Sequence, residues 1–513
     1  MFRGLSGRLA VTVSAIAIAI FMTAVGSPAR AGTMEDLKAQ VDQLTQTVKD
    51  LQQQVADLKS GGASTNSTPT SVSVATTNAA PTQTAAFLGD NPSAGAETPL
   101  NTTSSGGSIL EQAPAGVPQT TGLTAPLRLA GTDQAYVNLS FDGLFAATAS
   151  SAPDVENVET GGHDPNQRGF TVQNLELVLD GAVDPYFKGQ ANIVMHLDRN
   201  GDTQVEAEEA WMETTSLPWN LQVKGGLFLS PFGRLNPTHP HTWEFADQPL
   251  VNGRFLGPDG LRNPGAQISY LLPTDWYSEL ILAIQNGSGD TAYSFRNRGE
   301  NDVFFERPTA DRRLRGFQDL LFIPRWANSI DLDDENTIVA GASGAFGPND
   351  TGGDTRTDIY GADLFYKWKP SNAAGGWPFV KWQTEAMFRR FEAGEGQLDS
   401  NGDGVVDVTL PREQLEDWGW YSQVAYGFTQ NWVAGLRVDY LDSDDSAFTQ
   451  DRTREDRWRV SPNVTWYPTE FSKIRLQYNH DWISGGMGVR GRDVDTVILQ
   501  FEFALGAHGA HKF

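Results

Sequence analysis

From residue 134 onward the chain alternates apolar and polar residues in segments near ten residues long, and the gaps between them run long, short, long, short. In FKGQANIVMHLD, Phe187, Gly189, Ala191, Ile193, Met195 and Leu197 share one face, and Lys188, Gln190, Asn192 and His196 share the other. The same lanes recur as Tyr360, Ala362, Leu364, Tyr366 and Trp368, then as Trp432, Ala434, Leu436, Val438 and Tyr440, and last as Val497, Leu499, Phe501, Phe503 and Leu505. A period of two is that of a strand with one apolar side. A bilayer offers no water to backbone amides, so a spanning sheet must close on itself and show lipid one apolar lane per strand. The pattern predicts an all-β fold, a transmembrane antiparallel β-barrel of about sixteen strands over 134–513. Short connectors are expected near Pro273 to Trp276, Phe428 to Gln430 and Tyr467 to Phe471.

The N-terminal quarter has a different texture. Arg3 and Arg8 precede an apolar run from Leu9 to Val25 and a small-residue pattern at Ala29-Arg30-Ala31, which predicts an export signal over 1–31. Met34, Leu37, Val41, Leu44, Val48, Leu51, Val55 and Leu58 then form a heptad seam, predicting a short coiled-coil helix over 34–59. From 60 to 124 the chain is Ser, Thr, Ala, Gly, Pro and Asn with few charges, and a disordered linker is expected.

Composition narrows the compartment. Only 39% of residues are hydrophobic, which agrees with a barrel whose inner lane faces water. There is no Cys, so disulfides and thiolate chemistry are excluded. The net charge of −25 argues against a nucleic-acid partner. The export signal and the strand rhythm together place the chain in the outer membrane of a Gram-negative bacterium, against lipid.

The third long connector, Ser230 to Gly265, stands out by length and by its Pro and Gly content, and it is expected to be the longest. It carries Arg234, His239, His241, Glu244, Asp247, Arg254, Asp259 and Arg262, a set suited to a pore constriction. With the polar lane inward, later strands contribute a basic wall of Lys367, Lys381, Arg389, Arg437, Arg457, Arg459, Lys473 and Arg475, partly offset by Asp363, Glu385 and Asp439. Early strands contribute Asp142, Glu176 and Asp180, so a transverse field is expected. Arg and Lys rows favour anions by returning hydrogen bonds to a partly dehydrated ion. Asp198, Asn200, Asp202 and Glu209, and separately Asp399 to Asp407, partly match a calcium loop; His239 with His241, and His508 with His511, are zinc-type pairs without an evident completing ligand. No metal, cofactor or catalytic constellation is assigned, and an enzyme is not expected.

The run from NLELVLDGAVDPYF through EAWMETTSLPWNLQVKGGLFLSPFGRLNPTHPH to RNPGAQISYLLP resembles the phosphate-selective porin O and P family, including its coiled-coil-bearing, dicarboxylate-type relatives. The resemblance implies a homotrimeric, sixteen-stranded, passive channel whose third loop folds inward. The expectation is therefore diffusion of small hydrophilic solutes, leaning toward anions such as phosphate or small organic acids. The alternative is a structural protein whose coiled coil reaches the cell wall.

Overall fold

The computed structural model describes residues 127–506, with 132–134, 199–200, 297–302, 374, 399–405, 407, 445, 448–453 and 485–490 outside the description. The segments expected over 1–124, the tail with His508 and His511, and most of the acidic stretch 399–407 therefore lie outside the described residues.

A short β1 (Leu127–Gly131) precedes sixteen longer strands. The first eight are β2 (Tyr136–Ser150), β3 (Gly169–Asp184), β4 (Phe187–Leu197), β5 (Thr203–Thr214), β6 (Leu221–Leu229), β7 (Arg262–Leu271), β8 (Tyr277–Gln285) and β9 (Leu321–Asp333). The last eight are β10 (Asn336–Pro348), β11 (Arg356–Trp368), β12 (Phe379–Ala393), β13 (Glu413–Thr429), β14 (Trp432–Ser443), β15 (Arg457–Thr469), β16 (Ser472–Ile483) and β17 (Arg492–Leu505). Each pairs antiparallel with its neighbours in sequence, and β17 pairs with β2 from Phe141↔Leu505 to Ser150↔Thr496. The sheet is thus a closed barrel of β2 to β17, with no open edge to satisfy in lipid. β1 pairs with β2 from Leu127↔Leu139 to Gly131↔Tyr136, continuing the lane that β17 leaves at Leu505. The sheet therefore starts upstream of the expected boundary at 134.

The lanes follow the pleat. In β15 the side chains of Arg457, Arg459, Ser461, Asn463 and Thr465 are buried inside, while Trp458, Val464 and Trp466 are exposed outside. Registered aromatic pairs mark both ends of the outer surface: Trp420↔Tyr440 and Trp458↔Trp482 at one rim, Trp432↔Trp466 at the other. Between them the outer lane is aliphatic, with Val424, Leu436, Val464 and Leu476. Two aromatic belts around an apolar band are the surface that an outer-membrane barrel presents to lipid.

Connections 185–186, 334–335, 430–431 and 470–471 are tight turns at one rim, and the long excursions leave from the other. Two connections at the loop rim, 198–202 and 349–355, are short, whereas 369–378 at the turn rim is longer than expected. The third loop spans 230–261, and 286–320 exceeds it, so the expectation that the third is the longest is corrected. Arg262 and Gly265 belong to β7, because their backbones pair with Leu229 and Gly226 of β6.

Candidate functional site

The third loop turns into the barrel within four residues of leaving β6. Gly233 sits at φ +63, in the left-handed region, and a Cβ built there would meet Oε2 of Glu385 at 2.1 Å. Only glycine fits both demands. Glu385, on β12, accepts hydrogen bonds from the backbone N–H of Arg234 at 3.2 Å and of Leu235 at 2.8 Å, and from the Tyr421 hydroxyl at 2.6 Å. The loop then makes a 3-10 turn at Pro240–Thr242 and a two-turn helix, α1 (Leu250–Leu256), started by Pro249. Leu250, Val251, Phe255 and Leu256 are buried against Ile359, Met387, Tyr421 and Leu441 of the wall, forming an apolar core inside the lumen. Removing that apolar area from water supplies the drive for the loop to enter the barrel rather than stand above it.

Hydrogen bonds and ion pairs then orient it. Lys381 holds Glu244 at 2.9 Å, Arg475 donates to the Trp243 carbonyl at 2.8 Å, and Lys473 donates to the His241 carbonyl at 2.5 Å. Asp247 lies under Arg437 at 2.8 Å and Arg459 at 2.5 Å, and also accepts from Gln477 and Asn479. Burial pushes the Asp247 carboxyl up, but the two guanidinium groups outweigh burial and hold it below the usual carboxylate range. Arg389 chelates Asp417 and donates to the Arg254 carbonyl at 3.2 Å. Arg457 and Arg459 share Asp481. Lys381, Arg389, Arg437, Arg457, Arg459, Lys473 and Arg475 therefore face loop atoms or wall carboxylates. The remaining wall cation, Lys367, is half-buried near the turn rim opposite Lys381.

The opposite wall is acidic. A β-bulge on β5 inserts one residue between Asn192↔Glu209 and Ile193↔Ala207, so Glu208 and Glu209 are both buried. His239 bridges them, Nδ1 to Glu208 at 2.8 Å and Nε2 to Glu209 at 3.2 Å, while His241 pairs with Glu176 at 3.0 Å. Burial lowers the His239 proton affinity, yet Glu176 and Glu208 outweigh it, and the ring titrates well above its ordinary value. Of the remaining expected residues, Arg234 stacks on Phe365 at 3.9 Å, Asp259 lies 3.8 Å from His163, and Arg262 pairs with Glu206 from its strand. Glu209 is committed to His239 and to the Leu229 N–H, so it does not complete the calcium-type set begun by Asp198.

Glu208, Asp417, Asp481 and Gln477 were not singled out by sequence reasoning. The run EAEEAW breaks the alternation and is the one visible sign of the bulge. Apolar Ile359, Met387, Tyr421 and Leu441 at inner-lane positions are the visible sign of a loop packed inside.

A cavity of about 570 Å³ opens at the loop rim above α1. Arg254, Arg457 and Arg492 line it together with Asp154, Glu156, Glu159, Glu455 and Asp493. Glu159 is engaged by Arg459 at 2.6 Å and Arg457 by Asp481 at 2.7 Å. Arg254 makes no ion pair with a carboxylate among the described residues, and its Nη1 is buried with no hydrogen-bond partner there. On the other side of the loop a small cavity is bordered by Arg234, Trp243, Glu244 and Lys381.

A closed sixteen-stranded barrel with two aromatic belts, a polar inner lane and an inward third loop is the porin-like architecture of an outer-membrane channel. No family model matches this chain. An uncharacterized protein of Aquifex aeolicus (strain VF5) is 31% identical over 375 residues, covering 69% of this chain and 73% of that protein. The chain belongs to the family of that Aquifex protein. Among solved structures it is similar to the outer membrane channel DcaP of Acinetobacter baumannii, with TM-score 0.49 and 13% identity over 73% of this chain and 99% of that one. It is also similar to an anion-selective porin from Comamonas acidovorans, with TM-score 0.43 and 9% identity over 72% of this chain and 100% of that one.

Proposed function

We propose that the chain is a passive diffusion channel for small hydrophilic solutes, with a lean toward anions of the phosphate or small organic acid class, and that it works as a homotrimer. The observation that carries the anion lean is Arg254. The third loop places this guanidinium in the lining of the rim cavity, where it makes no ion pair with a described carboxylate; Asp417, the carboxylate acting most strongly on it, is paired with Arg389 and Arg454, and Glu159 of the same lining is engaged by Arg459. A fixed positive charge in a narrow, partly dehydrated passage lowers the barrier for an anion and raises it for a cation. Arg234 and Lys381, which border the small cavity on the other side of the loop, add positive charge there, offset in part by Asp363 and Glu385 near Arg234 and by Glu244 at Lys381.

In this reading the wall cations divide. Arg437, Arg459, Arg475 and Lys473 anchor the loop, and selectivity rests on the loop residues Arg254 and Arg234 with the wall residues Arg457 and Lys381, the last two partly offset by Asp481 and Glu244. The test is the reversal potential of single channels in a salt gradient. Wild-type channels should reverse on the anion-selective side, and Arg254→Gln should move that potential toward cations. A folded protein that does not conduct overturns the channel reading. An Arg254→Gln potential equal to wild type overturns the anion role of this residue.

A further inference from the structure

Two clusters of His and Glu lie on the acidic side of the lumen, and they differ in one chemical respect. In the first, Glu176, Glu208 and His239, both ring nitrogens of His239 face carboxylate oxygens at hydrogen-bond distance. A ring that donates from both nitrogens is an imidazolium and has no lone pair for a metal.

In the second cluster, His163, His196 and Glu206, the donor atoms lie within 4.8 Å of one another and the imidazoles are free to ligate. His163 comes from the first loop, His196 from β4 and Glu206 from β5. Nδ1 of His163 is 3.3 Å from the Gln173 carbonyl, which can only accept, so the proton sits on Nδ1 and Nε2 carries the lone pair. The Gln173 amide returns a hydrogen bond to the His163 carbonyl at 2.9 Å, locking the ring in place. A metal-ligating histidine is held in this way, by its second nitrogen on a backbone carbonyl. His163 is 5% exposed, and its Nε2 has no hydrogen-bond partner among the described residues; neither has Nδ1 of His196. The two rings meet edge to face with centroids 5.1 Å apart.

The carboxylates are similarly prepared. Arg262 holds one oxygen of Glu206 at 2.7 Å, leaving the other 3.9 Å from Nδ1 of His196. Asp259 places Oδ1 3.8 Å from Nε2 of His163. It can do so because residue 162 is glycine: a Cβ there would stand 2.0 Å from that oxygen. Donor atoms of a tetrahedral zinc site are about 3.3 Å apart, so the three donors, within 4.8 Å of one another, would close on an ion by shifts of up to roughly one ångström each, with Asp259 swung in from its place beside His163. Side-chain exposures of 16% for His196, 28% for Glu206 and 27% for Asp259 leave an entry path from water.

We propose that His163, His196, Glu206 and Asp259 form a binding site for a divalent transition metal of the zinc class. Two imidazoles with two carboxylates suit zinc, cobalt or nickel better than the all-oxygen preference of calcium or magnesium. The bound ion ties the first loop and the C-terminal limb of the third loop to β4 and β5. It acts as a clamp on the elements that narrow the lumen, independently of solute selectivity.

The experiment is calorimetric titration of zinc chloride into the full chain in detergent after chelator treatment, with cobalt absorption and zinc-edge X-ray absorption as second readouts. The expected result is one ion per chain, tetrahedral cobalt bands and two imidazoles at the zinc. His196→Asn and Glu206→Gln should each weaken binding at least tenfold, with barrel folding checked by heat-dependent gel mobility. Replacing both tail histidines, His508→Ala with His511→Ala, should leave binding as it was. Binding no tighter than millimolar overturns the proposal, as does binding undiminished in both wall variants or abolished by His239→Asn alone. The coordination of the zinc-loaded wild-type chain decides the matter even if a variant fails to fold: fewer than two imidazoles overturns it.

Discussion

Replacing Asp247 with alanine tests the docking of the third loop at its most connected point. The carboxylate meets Arg437 and Arg459 and accepts from Gln477 and Asn479, all fully buried. Removing one partner of a buried ion pair costs about 3–5 kcal/mol, because the other charge stays desolvated. Here the guanidinium groups keep other partners: Arg437 retains Asp439 at 2.8 Å, and Arg459 retains Glu159 at 2.6 Å and Asp481 at 2.9 Å. The loss therefore falls at the low end, about 3 kcal/mol, or roughly a hundredfold in the docking equilibrium. The apolar contacts of α1 still hold the loop most of the time, so the change appears as brief excursions rather than a permanently wider pore. In single-channel recordings Asp247→Ala should show short visits to a higher conductance level about a hundred times more often than wild type. Asp247→Asn, which keeps an acceptor but loses the charge, should fall between. Because the folded carboxyl titrates below its ordinary value, its contribution is present above about pH 3.9 and is lost only as pH falls through the lower folded value. Wild-type channels should accordingly stay quiet from neutral to mildly acid pH. Folded Asp247→Ala channels with wild-type conductance and noise would refute the assignment of this residue as the loop's anchor.

Gly233→Ala places a side chain at positive φ and against Glu385; it should cost about 1–3 kcal/mol and make the pore noisy without altering the circular-dichroism signal of the barrel. A quiet Gly233→Ala channel would mean that the loop does not pivot there. His239, whose folded proton affinity is raised, contributes fully below about pH 6.5 and loses its contribution as pH rises through the folded value, so current noise should grow on the alkaline side. His239→Gln should show that noise already at neutral pH, and a flat profile in both would remove His239 from the docking contacts. Deleting residues 34–124 should leave conductance unchanged, since the barrel closes without them; loss of conductance from a folded barrel would favour the structural alternative.

The strand lanes were legible because lipid imposes a rule on each strand separately. Trp458, Val464 and Trp466 must be apolar wherever the strand ends up in the barrel, so their period of two survives in the linear chain. The rhythm of tight turns and long loops, the closure implied by spanning strands, and the place of the third loop in the order are local properties of this kind. The polarity of Arg437, Arg459 and Arg475 on the inner lane was equally open to reading.

What those polar groups touch was decided only by the tertiary structure. The Asp247 pairs join residues 190 or more positions apart, and the partner of a charge at that range depends on where the loop folds. The wall cations, read as a basic lining partly offset by Asp363, Glu385 and Asp439, are largely turned to the loop and to wall carboxylates. A one-residue bulge in β5 faces Glu208 toward His239, a change of direction that alternation in the sequence records only as an irregularity. The His163, His196 and Glu206 group is drawn from a loop and two strands, with no motif spacing to announce it. Lipid acts on one lane at a time and leaves its mark in each segment; the lumen acts through contacts among distant segments, so its chemistry exists only once the barrel has closed around the loop.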